Sequence, residues 1–294
     1  MTVGLLVYIM VPLNVVILMT AVGLNLTVGS VRDVLKHPRS LLISTLLQFS
    51  LLPTAALGLI WLLEPPAMIA LVILAIAISP GGTLSNSFTH LIGGNLALSI
   101  VMTTITTLLV SVSAPVVLAI AYTFGLLDMK VASRLDPLSV AWDLARFALL
   151  PILAGCLCAH FLPAVASRLR RAMDVLSILA IAVILVSCIV VSLPVIQKAA
   201  SLTLFYAAAF SLTLFGIGAA VSRLLPREDR SACFIEFGVR NLPIALVLSS
   251  GSTPSTEIVA FLLCYFVINT AMLFVMTFVT RIPSNASKRS RAGQ

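Results

Sequence analysis

Charge is what this sequence lacks most. Only 10% of its 294 residues are Asp, Glu, Lys or Arg, where a soluble domain carries about a quarter. That leaves too little polar surface to cover a water-soluble particle, so lipid must cover it instead. Acidic residues are scarcer still, 10 against 18 basic ones, for a formal net charge of +8. In a chain with 60% hydrophobic residues and a mean hydropathy of +1.16, that excess points to basic anchoring loops and excludes a nucleic-acid reading. Cysteine is sparse as well. Cys156, Cys158, Cys188, Cys233 and Cys264 all fall inside apolar stretches and read as small lipophilic residues. Nothing near Cys156 and Cys158 completes a tetrahedral metal set. No basic n-region precedes the opening MTVGLLVYIM, so the first apolar stretch reads as a retained spanning helix and not as a cleaved signal. No segment has the composition of a soluble domain.

What is present is a series of apolar stretches long enough to span a bilayer. There are nine, at about 3–28, 39–62, 67–91, 95–121, 138–162, 173–193, 200–222, 230–250 and 255–281. Placing the N-terminus outside puts thirteen Lys and Arg on the cytoplasmic side, in or beside 29–38, 163–172, 223–229 and the tail. Only Lys130, Arg134 and Lys198 fall outside, while Arg146 and Arg240 lie within spans. This bias predicts an N-out, C-in multi-pass protein of the cell (inner) membrane. A shift of about 157 residues lays span 39–62 over the seventh span and 95–121 over the ninth. Matched helices are an odd number of spans apart and cross in opposite directions, which is an inverted-topology repeat.

Two spans are interrupted. The third contains Pro80, Gly81 and Gly82, followed by Thr83, Ser85, Asn86, Ser87, Thr89 and His90. The eighth is broken from Gly238 to Pro243, with Glu236, Arg240 and Asn241 at the break. Proline removes a backbone donor, and unwound backbone survives at membrane depth only where protein or water covers it. Charges there imply function by default. Four residues apart, Glu236 and Arg240 could pair along one helical face. Ser99 and Thr103 share a face of the fourth span, and Gln48 sits within the second. Two breaks in opposed repeats would meet near the midplane, where half-helix N-termini attract anions and free carbonyls hold cations. Asp143 and Arg146 read as a local pair, and His90 and His160 as interfacial residues.

At these motifs the chain resembles the bile acid:sodium symporter family. The resembling segments are GLNLTVGSVRDVLKHPRSLL at 23–42, LLQFSLLP at 46–53, SPGGTLSN at 79–86, GGNLALSIVMTTITTLL at 93–109 and EFGVRN at 236–241. The resemblance implies an all-α polytopic membrane protein with nine helices, a single transporter domain across 1–294, and two crossing discontinuous helices. It divides the chain into a panel (about 3–28 and 138–193) and a core (about 39–121 and 200–281) that move against each other. The ten-helix members carry an extra N-terminal helix, which leaves the fifth span unpaired here. It further implies a first sodium site at Ser85, Asn86, Ser99, Thr103 and Glu236. A second would lie at Gln48, Glu236 and the backbone of Phe237 and Val239. Thr83 and Asn241 are the implied substrate contacts. The family places a glutamine at the second site, where this chain has Arg240, and a guanidinium offers no lone pair to a cation. Arg240 either stands in as a built-in positive charge or turns toward the cavity and clamps a substrate carboxylate.

The function this predicts is secondary active transport of a small organic anion, coupled to Na⁺ with reduced stoichiometry. A sodium-independent or proton-linked carrier or exporter of the same fold is the alternative. An intramembrane enzyme is disfavoured: the chain has no HExxH motif, only Asp143 and Asp174 lie near spans, and Ser85 with His90 is the sole Ser–His candidate. A receptor would bring a soluble output domain. The expected partners are the anion and the lipid bilayer, with no nucleic acid, and the sequence leaves the oligomeric state open.

Overall fold

The computed structural model describes residues 2–36, 38–126, 137–250 and 255–291. Side chains are outside that description at 2–8, 11, 28, 83, 111, 137, 139–140, 174, 177–178, 180–200, 250 and 276–291. Among the described residues every regular element is helical. This is the expected outcome for apolar runs in lipid, where each backbone N–H and C=O must be satisfied within its own segment. The helices are α1 (Thr2–Asn25), α2 (Val28–Lys36), α3 (Pro38–Leu63), α4 (Ala67–Ile78), α5 (Thr83–Leu91) and α6 (Leu96–Thr123). They continue with α7 (Pro137–Leu144), a π-helical turn (Ala145–Leu149), α8 (Leu150–Phe161), α9 (Pro163–Ser222), α10 (Arg227–Gly238), α11 (Leu242–Ser250) and α12 (Thr256–Arg291). Five of the described helical segments are long and apolar enough to cross a membrane, or seven if each bent pair counts as one span. Large side chains such as Trp61 and Val112 are exposed at 72% and 71%, while polar Ser85, Ser99, Thr103 and Glu236 are completely buried. Apolar outside and polar inside is the inversion that a lipid solvent imposes. The chain is a multi-pass membrane protein.

Two local features differ from the sequence reading. The segment 29–38, expected as a plain cytoplasmic connection, forms the amphipathic helix α2, turned 70° from α1. Its Val34 packs with Leu41, Leu98 and Met102, which is what a valine every third residue provides. The turn expected between the sixth and seventh spans, at 194–199, is not formed, and helical backbone continues from Pro163 to Ser222. Its 60 residues would extend about 90 Å at the helical rise. The sequence PVIQKA there contains no glycine to end a helix, and Pro194 at its start does not interrupt the helical backbone. In α6 the direction changes by 57° around residue 111, because Pro115 cannot donate to the carbonyl four residues earlier.

The helix ends that carry the basic segments come together. Arg170 Nη2 donates to the Leu24 carbonyl at the end of α1, 2.7 Å away. Asn95 caps α6 by accepting from the Leu98 N–H at 3.1 Å and donates to Asp229 Oδ1 in the first turn of α10 at 2.8 Å. The Gly93–Gly94 turn before it needs glycine twice. Gly93 has φ +72°, and a Cβ on Gly94 would strike the Ser231 hydroxyl. At the α1–α8 crossing, Gly23 and Gly155 lie against each other so closely that a Cβ on either would meet backbone. The expected Asp143–Arg146 pair is formed at 2.6 Å, and Cys156, Cys158, Cys233 and Cys264 are free thiols.

Candidate functional site

Both interruptions read from the sequence are breaks in the fold, and they touch. α4 ends at Ile78 and α5 begins at Thr83. Likewise α10 ends at Gly238 and α11 begins at Leu242. The two are joined by main chain, the Asn241 N–H donating to the Pro80 carbonyl at 2.9 Å. α11 packs on α4 and α10 packs on α5, so the broken helices cross at their breaks. Asn241 also caps α11, its Oδ1 accepting from the Ile244 N–H at 3.1 Å.

Beside the crossing lies a knot of oxygen atoms. Ser85 Oγ of α5, and Ser99 Oγ and Thr103 Oγ1 of α6, stand 2.7, 2.7 and 2.9 Å from Glu236 Oε1 of α10. Ser99 Oγ and Thr103 Oγ1 are also 2.7 and 3.4 Å from Asn86 Oδ1. These oxygens come from three helices and are far apart in sequence; the four-residue spacing of Ser99 and Thr103 puts both on one face of α6. The set is rich in acceptors and poor in donors. Three hydroxyl protons serve a carboxylate and an amide oxygen, and Ser85 Oγ is 2.7 Å from the Gly82 carbonyl as well. Glu236 Oε2 has no hydrogen-bond partner among the described residues. A desolvated carboxylate surrounded by neutral oxygens suits a hard cation. Among the described residues no cluster of three His, Cys, Asp or Glu could serve a softer metal.

Gly81 makes this approach possible. A Cβ there would collide with Glu236 Oε2 and lie 2.8 Å from its Cδ. Because the atom displaced is the tip of a side chain, Gly81→Ala should leave a folded protein with its carboxylate pushed off the three hydroxyls. If the cluster holds a cation, the affinity read from cation-dependent thermal stabilisation should fall at least about tenfold in the variant, the loss of roughly one charge-assisted hydrogen bond. An unchanged midpoint would detach Gly81 from the cluster.

Arg240 does not pair with Glu236. Among the described residues the ion pairs are Lys36–Asp33 and Arg146–Asp143. A side-chain i,i+4 contact requires one continuous helix, and α10 stops at Gly238, between the two. The guanidinium turns instead to carbonyls at the end of α4. It reaches Ile76 O at 3.5 Å, Ala77 O at 3.3 Å and, in very close contact, Ser79 O, and it bonds Glu236 O at 3.0 Å. A cation at a helix C-terminus is favoured by the dipole there. Gln48 faces the same small cavity as Arg240, Ala77 and Ile78, and neither end of its amide has a partner among the described residues. Phe237 belongs to the last turn of α10, and Val239 opens the break, its N–H still held by Ile235 O at 2.7 Å. Of the residues named for a second cation position, Glu236 bonds the guanidinium through its carbonyl and Gln48 shares a cavity with it.

On the other side of the breaks is a cavity of about 110 Å³. Gly82, Val239, Arg240 and Asn241 line it from the breaks, and leucines, Phe88 and Phe266 make it largely apolar. Asn241 Nδ2 has no partner among the described residues. The Thr83 side chain lies outside the described residues. Sequence reading missed Asn14 of α1 and the pair Tyr265 and Asn269 of α12, which also line the cavity. Tyr265 and Asn269 both donate to the Gly238 carbonyl freed by the break, at 3.3 and 2.8 Å. The four-residue spacing of these two polar groups in an apolar span was the available signal.

Residues 12–199, more than half of the chain, match the Sodium Bile acid symporter family. The chain belongs to this family. Its symporter match takes in Gln48, the first break and the α6 hydroxyls, and it ends before the second break. Glu236 and Arg240 are tied to the matched region by geometry. Among similar proteins, "Uncharacterized sodium-dependent transporter YocS" of Bacillus subtilis (strain 168) is 32% identical over 174 residues, covering 59% of this chain and 52% of its own. "Probable sodium/metabolite cotransporter BASS1, chloroplastic" of Arabidopsis thaliana is 26% identical over 239 residues, 80% of this chain and 57% of its own. The hepatic sodium/bile acid cotransporter of Rattus norvegicus is 28% identical over 181 residues, 60% of this chain and 49% of its own. The chain spans about half the length of these curated relatives. All three names describe transporters and none an enzyme.

Proposed function

We propose that this chain is a secondary active transporter of a small organic anion, driven by Na⁺ bound among Ser85, Asn86, Ser99, Thr103 and Glu236. The observation that carries the reading is the acceptor-rich oxygen cluster beside the crossing of two broken helices, next to an apolar cavity. Bound Na⁺ would hold α5, α6 and α10 together and so fix the shape of that cavity. The anion would then sit against the helix ends at Gly82, Thr83 and Asn241. Arg240 is read as a built-in cation at the second position, which leaves one sodium to couple. Four of its hydrogen bonds go to main-chain carbonyls, which favours this role over a substrate clamp. The buried, half-unpartnered Glu236 carboxylate supports a second reading, in which a proton takes the place of sodium. The test is the thermal stability of purified protein against an organic-anion panel, in sodium and in choline at two pH values. A shift that requires both one anion class and sodium is expected. A shift that follows pH alone selects the proton, and no anion-dependent shift in any buffer removes the reading.

In this account the core (about 39–121 and 200–281) moves against the panel (about 3–28 and 138–193) in the cell membrane, as an inverted repeat of nine crossings. The N-terminus is outside and the C-terminus cytoplasmic. Support comes from the basic segments, which meet at one end through Arg170–Leu24 and near Asn95–Asp229. Nine crossings require a turn near 194–199, where the backbone of α9 is continuous; its 60 residues exceed one bilayer crossing, and Pro194 is the residue that would break it. In a background without native cysteines, Lys198→Cys should react with an impermeant maleimide from outside, and Ser287→Cys only after permeabilisation. Lys198→Cys protected from both sides would mean that α9 does not turn there.

A further inference from the structure

The first helix carries three polar side chains in its described part beyond residue 8. Two of them satisfy themselves: Thr20 donates to the Val16 carbonyl at 2.7 Å, and Asn25 to the Ala21 carbonyl at 2.9 Å. Asn14 does not. It is fully buried, and neither its Nδ2 nor its Oδ1 has a hydrogen-bond partner among the described residues. Burying an amide unpaired is costly, so such a group needs an explanation. The explanation is its position, because Asn14 lines the cavity beside the breaks, on the face where α1 meets α5 and α11.

Thr270, with its hydroxyl, also lines the cavity, and four further polar groups there differ from Asn14 in what they have left to give. Tyr265 and the Asn269 amide nitrogen are engaged with the Gly238 carbonyl, and Arg240 with four main-chain oxygens. Asn241 keeps only a free donor, its oxygen being used on the Ile244 N–H. A lone donor at a helix start suits a carboxylate. Asn14 offers a donor and an acceptor side by side. A carboxylate could use only the donor, whereas a hydroxyl uses both, giving one proton and accepting another. The surrounding leucines and phenylalanines could satisfy neither.

We propose that Asn14 is a specificity-determining substrate contact that reads a hydroxyl group on the transported anion, across the cavity from Asn241. This rests on the organic-anion reading above. It adds that the anion is a hydroxy acid. Asn14 sits on the panel side and Asn241 on the core side, so the substrate itself would bridge the two.

The test uses the purified full chain in sodium and monocarboxylates of four to eight carbons, each paired with its monohydroxy counterpart. Affinity is read from ligand-induced thermal shifts for wild type, Asn14→Leu and Asn14→Met. The wild type should prefer one hydroxy acid over its deoxy partner by about tenfold, one neutral hydrogen bond's worth. Both substitutions should abolish that preference and leave affinity for the deoxy acid unchanged or higher. Removing an orphaned amide is not expected to unfold the protein, and two variants of different shape guard against a local packing fault. Binding of acids with no hydroxyl preference, or a preference that survives both substitutions, overturns the Asn14 assignment and leaves the transport reading in place. Failure of the wild type to bind any of the acids overturns the hydroxy-acid assignment, and the transport reading falls only if the wider organic-anion panel also gives no shift.

Discussion

Replacing Glu236 with Gln should abolish sodium-driven uptake and weaken sodium binding by about 100-fold or more, the equivalent of roughly 2.7 kcal/mol. Among the described residues Glu236 is the one carboxylate bonded into the oxygen cluster, and all three hydroxyls around it converge on one of its oxygens. An amide of the same shape keeps an acceptor for some of them, so the fold should survive. It removes the negative charge, and it turns a donor either on Gly81 or on the hydroxyl oxygens that would face the ion. In a buried site a charge is worth more than any neutral contact. The measurement is sodium-dependent thermal stabilisation alongside uptake into proteoliposomes. A Glu236→Gln protein that is stabilised by sodium at the wild-type midpoint would place the cation elsewhere.

The second large effect is a change of stoichiometry. Arg240→Gln should raise the sodium Hill coefficient from about one to about two, two being the number of cation positions then open. The reason lies in what the guanidinium touches. It lies over carbonyls of Ile76, Ala77 and Ser79 and over Glu236 O, with Gln48 on the same small cavity and without a partner among the described residues. In the proposed reading these oxygens would face a cation, and a fixed positive charge takes its place. Glutamine would withdraw the charge, free the carbonyls and add an oxygen of its own. Arg240→Leu frees the same carbonyls with nothing to replace the donors. It should therefore be destabilised by about 1–3 kcal/mol for each carbonyl left buried and unpaired, without gaining a second sodium. If Arg240→Gln lowers anion affinity and leaves the Hill coefficient unchanged, the guanidinium serves the substrate instead.

How much of this was legible in the chain can be judged residue by residue. The breaks were, because Pro80-Gly81-Gly82 and Gly238 through Pro243 interrupt apolar runs in a way only a covered, unwound backbone tolerates. The company of Ser85, Asn86, Ser99, Thr103 and Glu236 was suggested by resemblance and is brought about by three helices. The partners of Arg240 were not legible, because i,i+4 geometry holds only inside a helix, and the break between Gly238 and Leu242 cancels that rule. Asn14 could not be read at all. A single Asn in an apolar helix looks the same whether it bonds its own backbone or faces a cavity, and only the packing of α1 against α5 and α11 separates the two. The glycine contact of Gly81 with Glu236 was likewise invisible, since it joins residues 155 positions apart without any shared pattern.

The most direct test of the account is the ratio of sodium to anion carried per cycle. It can be measured as sodium and anion fluxes into proteoliposomes of the wild-type protein under a sodium gradient, using the anion found in the stability screen. One sodium per anion, with a Hill coefficient of about one, is the predicted result. Two sodium ions per anion would mean that Arg240 does not occupy a cation position, and uptake indifferent to sodium would contradict the assignment of the Glu236 cluster itself.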